Sequence, residues 1–195
     1  MKRFFFFVFL NFIGIFVKNN DNIMDTFGFI CTILSFLMMT VFNFICIKRY
    51  GLLSCYSAYG EQWANEKKSL NAINIWSLVT IVSALLLVPP ILVSSDGHPL
   101  QFLCFFTPLY LFLVGITPDY NKVKAHNRLH MTGVILCVIS VLFWLFFVVH
   151  RLVILFPVYI LALVIGMGTR TFDKSWLYYL EMVMYLTAYI ALLTV

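Results

Sequence analysis

Apolar residues run through this chain in long, unbroken stretches of similar length, separated by short polar connectors. Six stretches are clear: Phe27–Ile47, Ile75–Ser95, Pro99–Thr117, Met131–His150, Leu152–Gly168 and Ser175–Val195, each of 17 to 21 residues. A hydrocarbon core of ~30 Å is crossed by about 20 helical residues at 1.5 Å each, so every stretch predicts one transmembrane helix. The runs are continuous rather than alternating, which excludes a barrel. The expected fold is all-α, a polytopic transmembrane helical bundle forming one unit over residues 24–195. Residues 1–23 stand apart: MKR precedes a 14-residue apolar core, FFFFVFLNFIGIFV, and no small-residue cleavage site follows. That segment reads as a signal anchor or a short first helix, giving six or seven helices, and Met24 offers an alternative start.

The connectors differ in kind. Residues 48–74 form the longest, and in it Leu52, Leu53, Tyr56, Tyr59 and Trp63 recur at roughly helical spacing among polar residues. This predicts an interfacial helix with its aromatics at headgroup depth. On the other side, SSDGHP and the His150-Arg151 step allow only tight hairpins. Pro89-Pro90 and Pro157 fall inside spans and remove backbone donors, so kinks are expected there. Three spans precede the polar island PDYNKVKAHNRLH (Pro118–His130) and three follow it, but no residue-level match relates the two halves as an inverted repeat would.

Composition agrees with the pattern. Hydrophobic residues make up 63% and charged residues 11%, against roughly 45–50% and about 25% in soluble domains. Mean hydropathy is +0.97, and 21 phenylalanines would be insoluble cargo outside lipid. The charges then set the orientation. Lys48, Arg49, Lys67, Lys68, Lys122, Lys124, Arg128, Arg170 and Lys174 occupy alternate connectors, whereas the opposite connectors hold only Lys18 and Arg151. By the positive-inside rule, loops 48–74, 118–130 and 169–174 are cytoplasmic and the C-terminus is outside. Confined to connectors, the net charge of +5 does not mark a nucleic-acid partner. It suits anionic lipid headgroups, at ~1 kcal/mol per basic residue. Cys31, Cys46, Cys55, Cys104 and Cys137 include no CxxC pair and read as small buried hydrophobes.

Glu181 is the most telling residue within a span, six positions from its start and therefore ~9 Å deep. A carboxylate there needs a partner, a proton or a wet cavity. Tyr178, Tyr185 and Tyr189 share its helical face, which should point inward. Asn43, Ser77, Thr80 and Tyr110 lie at similar depth on other spans. Together these residues predict a polar pocket open to the cytoplasm; the competing reading is packing glue between helices.

His126 and His130 form an HxxxH pair, which a helix would place on one side, and Asp119 lies close in sequence. With Glu181 as a further ligand, a zinc-dependent lipid hydrolase can be drawn, Ser54 or Ser57 assisting a polarised carbonyl. The seven-helix membrane hydrolases that include alkaline ceramidases require three histidines on one face, and similarity to them fails because His98 and His150 end their helices on the other side. His98 and His150 end neighbouring spans on the outer side, so a bis-histidine haem can be drawn between them, but a six-helix dihaem cytochrome would also need an inner pair on two helices, whereas His126 and His130 share one segment; retinal would need a lysine within one of the six spans, and none is there. Phosphate-loop, nucleophile-elbow and HExxH signatures are also lacking.

From residue 24 onward, the succession GLLSCYSAY, GITPDY, HMTGV and WLYYLEMVMYLTAY resembles small six-helix bacterial inner-membrane proteins of uncharacterised function. The resemblance implies a bacterial inner-membrane location and directs attention to Ser54, Ser57, Tyr59, Asp119, His130 and Glu181. Two functions compete. The first is cofactor-free binding of a lipid or small amphiphile, as a carrier, sensor or accessory subunit; the alternative is the zinc hydrolase.

Overall fold

A computed structural model describes residues 21–66, 74–122 and 124–194. The N-terminal segment 1–20, Lys67, Lys68 and Val195 lie outside the described residues. The described chain is helical, with no strand: α1 (Asp21–Tyr50), α2 (Ser57–Glu66), α3 (Ile75–Leu86), α4 (Val88–Ser94), α5 (Gln101–Cys104), α6 (Phe106–Gly115), α7 (Lys124–Phe143), α8 (Leu155–Gly168) and α9 (Phe172–Thr194). Among the described residues, four helical stretches are long and apolar enough to cross a membrane: Asp25–Tyr50, Ile75–Ser94, Lys124–Val148 and Phe172–Thr194. Gln101–Gly115 and Leu152–Gly168 are apolar but shorter.

Proline places two of the breaks. Pro89 and Pro90 cannot donate to the carbonyls four residues back, and α3 gives way to α4 at Leu87. Pro108 does the same one span later: α5 stops at Cys104, its i−4 position, and α6 begins at Phe106. The expected Pro157 kink is corrected, because Pro157 sits in the first turn of α8, where a missing N–H leaves no carbonyl unpaired. At the far end of α7 a π-helical turn, Trp144–Val148, closes the span, and His150 takes a left-handed φ of 52° to start the hairpin.

The packing brings α1 against α3, α4 and α9, lays α6 between α3 and α7, and places α8 on α9. Gly133 permits the tight α6–α7 approach: a Cβ there would lie 3.2 Å from the Tyr110 carbonyl oxygen. Two cores result. One gathers Phe42, Cys46, Tyr59, Trp63, Trp76 and Tyr178; the other gathers Ile91, Trp144, Leu145 and Tyr189. Hence the connector aromatics correct the interfacial expectation. Tyr56, Tyr59 and Trp63 are buried against the bundle at 8%, 0% and 8% exposure, and helix begins only at Ser57.

Candidate functional site

The basic end of the bundle is built around a defect in α9. Ser175 is buried and non-helical (φ −133°, ψ 27°), so the turn that follows starts with amides lacking intrahelical partners. The connector after α1 supplies one partner: Tyr178 N donates to the Ser54 carbonyl at 3.0 Å. Glu181, one turn on, reaches back to the same connector, its Oε2 accepting from Tyr56 N at 2.5 Å. Segment 54–56 is thereby clamped to α9 by two hydrogen bonds of opposite direction, one backbone to backbone and one from a backbone amide to the Glu181 carboxylate. Glu181 thus meets a backbone amide, not the histidines.

The tyrosines on the Glu181 face turn toward α1. Asn43 Nδ2 donates to the Tyr178 hydroxyl at 2.6 Å, and that hydroxyl donates to Asn43 Oδ1 at 3.0 Å. The Tyr185 hydroxyl donates to the Phe36 carbonyl at 2.9 Å and lies 2.9 Å from Thr40 Oγ1. Tyr189 completes the series, its hydroxyl 2.5 Å from Ser35 Oγ and 3.2 Å from Ser83 Oγ, with the two serine oxygens 2.6 Å apart. These bonds make a polar ladder between α1 and α9 that is closed on itself. Tyr189→Phe is expected to cost about 0.6 kcal/mol and no more than ~1.7, read by denaturation in mixed micelles.

Other predicted residues scatter. Tyr59 is fully buried and its hydroxyl donates to the Gly51 carbonyl at 2.9 Å; burial raises that hydroxyl to about 12. Ser57 is buried at the start of α2, whereas Ser54 is exposed, with its carbonyl bonded to Tyr178 N. Thr80 is buried in α3 behind Gly115, and Tyr110 stacks on Phe106 of its own helix, centroids 5.6 Å apart.

The two histidines take separate environments. His126 Nδ1 lies 2.8 Å from Asp119 Oδ1 near the surface. His130 is buried, stacked on Tyr120 at 4.1 Å, with Nδ1 3.1 Å from Thr117 Oγ1. Among the described residues, no three His, Cys, Asp or Glu side chains converge as metal ligands. Cys55 packs between these parts, its Sγ 3.9 Å from the Tyr120 hydroxyl. Burial, and secondarily the Glu181 charge, push that thiol upward. Among the described residues, this end clamps segment 54–56 to α9 and pairs His126 with Asp119.

A groove of about 520 Å³ lies at the opposite end of α1, where α1 meets α4 and the last turn of α9. Asp25 and Thr26 stand on its wall beside Phe29, Val93, Leu192 and Leu193. Ser94 also borders it, accepting a hydrogen bond from Trp144 Nε1 at 3.2 Å. Sequence reasoning missed this site, because Asp25 and Ser94 look like ordinary span ends. Of the residues expected to form a pocket, Asn43, Tyr178, Tyr185 and Tyr189 bond across α1 and α9, Glu181 and Tyr59 bond to connector backbone, and the Ser77 and Thr80 hydroxyls are buried with no hydrogen-bond partner among the described residues. Comparison with protein-family models, curated proteins and solved structures gives no match.

Proposed function

We propose that the protein is a six-span integral membrane protein that binds a lipid or small amphiphile, as a carrier, sensor or accessory subunit. The observation that carries this reading is the groove between α1, α4 and α9, lined by the Asp25 carboxylate, the hydroxyl residues Thr26 and Ser94, and apolar Phe29, Val93, Leu192 and Leu193. Such lining matches a polar head joined to an apolar chain. For the crossings, the 15 residues of Gln101–Gly115 and the 17 of Leu152–Gly168 would extend ~22 Å and ~25 Å as helix, lengths that flanking residues and local thinning accommodate. Lys48, Arg49, Lys122, Lys124, Arg128, Arg170 and Lys174 are on connectors or helix ends at the clamp end, which supports a cytoplasmic assignment for it. The groove then opens on the outer side of the membrane, which the sequence resemblance implies is a bacterial inner membrane.

Extraction into native nanodiscs followed by lipid mass spectrometry tests the proposal. A lipid or amphiphile should be retained near one per chain and fall several-fold in Leu193→Trp, which narrows the groove. Retention that mirrors bulk membrane composition in both proteins would overturn it.

A further inference from the structure

Resting on the amphiphile-binding reading, we infer that the groove selects amphiphiles with a cationic headgroup. Among the described residues, Asp25 is the only ionisable residue on its wall, and none pairs with that carboxylate by a hydrogen bond or salt bridge. Among the described residues, the surrounding charge does not offset it. Arg151 is the only lysine or arginine at this end among the described residues, and its Nη2 is committed to the Thr194 carbonyl at 3.1 Å. Asp96, exposed in the turn just beyond Ser94, adds a second negative charge on the same side. The hydroxyls nearby offer little to an anion. Thr32 Oγ1 donates inward to the Gly28 carbonyl at 2.9 Å, and Ser94 Oγ donates to the Ile91 carbonyl at 3.1 Å. An anionic head would meet an uncompensated carboxylate with no free donor array, whereas a primary or quaternary ammonium would neutralise it while its chain lies along Phe29, Val93, Leu192 and Leu193.

Three photoreactive probes with one C12 diazirine chain, bearing trimethylammonium, sulfate or glucoside heads, discriminate the outcomes. Each is photolysed with the full-length protein in phosphatidylcholine vesicles, and adducts are mapped by peptide mass spectrometry. The ammonium probe should label the peptides containing Phe29, Val93 and Leu192 saturably, at least tenfold more than the sulfate probe. Labelling should fall about tenfold in Asp25→Asn and return in Asp25→Glu; the substituted side chain is exposed, so folding is undisturbed. Equal saturable labelling by all heads, or no effect of Asp25→Asn, overturns charge selection and leaves amphiphile binding standing. No saturable labelling by any probe overturns both.

Discussion

Trp76→Ala is expected to destabilise the bundle by about 3–5 kcal/mol, the range for removing a buried aromatic ring. The indole is fully buried, tilted against Tyr56 with centroids 5.8 Å apart, and it fills the space left by Gly60. That last contact gives the prediction a control. A Cβ on Gly60 would stand 2.7 Å from Trp76 Cε3, so Gly60→Ala forces the ring to move and should itself cost about 1–3 kcal/mol. The two losses arise from one contact and are not additive. Gly60→Ala combined with Trp76→Leu should therefore lose less than the sum of the single changes. Denaturation of all variants in mixed micelles measures this, and strict additivity would show that α2 is not seated on α3 through this pair.

Glu181→Ala is the second large effect. It removes the acceptor of Tyr56 N, and a buried amide left without a partner costs about 1–3 kcal/mol. Glu181→Gln keeps an acceptor at the same reach and should lose less, because only the charge contribution goes. Exchange of the Tyr56 amide is the specific readout. It should accelerate strongly in the alanine variant and modestly in the glutamine variant, with Tyr189 contacts on the other half of α9 unaffected. Identical acceleration in both would mean that the carboxylate, rather than the hydrogen bond, holds segment 54–56.

Both predictions concern contacts that the sequence pattern shows only in part. Spans are legible because lipid solvates no free backbone polar groups, so continuous apolar runs have few alternatives to helix. The inward face of α9 was also legible, since Tyr178, Tyr185 and Tyr189 fall on one side by periodicity alone. Their partners were not. Ser35 and Ser83 are single hydroxyls in apolar runs, and nothing in their own neighbourhoods distinguishes them from packing residues. The clamp was hidden for a different reason: one side of each bond is a backbone group, and the Glu181–Tyr56 pair is separated by 125 residues. Pro108 could have been read as a break, by the same logic as Pro89-Pro90. Tyr56, Tyr59 and Trp63 were misplaced because amphipathic spacing marks which side is apolar without saying whether lipid or protein covers it.

The α1–α9 ladder also bears on how the chain matures. Helix α1 precedes α9 in the chain and carries Thr40 and Asn43, whose tyrosine partners belong to α9. Until α9 has been released and inserted, those groups face hydrocarbon or temporary neighbours, and the Tyr56 amide waits for Glu181. A chain stalled before α9 is thus marked by an unpaired polar stripe within the bilayer, the feature by which an incomplete membrane protein differs physically from a finished one. Closure of the first described span against the last is the step that erases the mark.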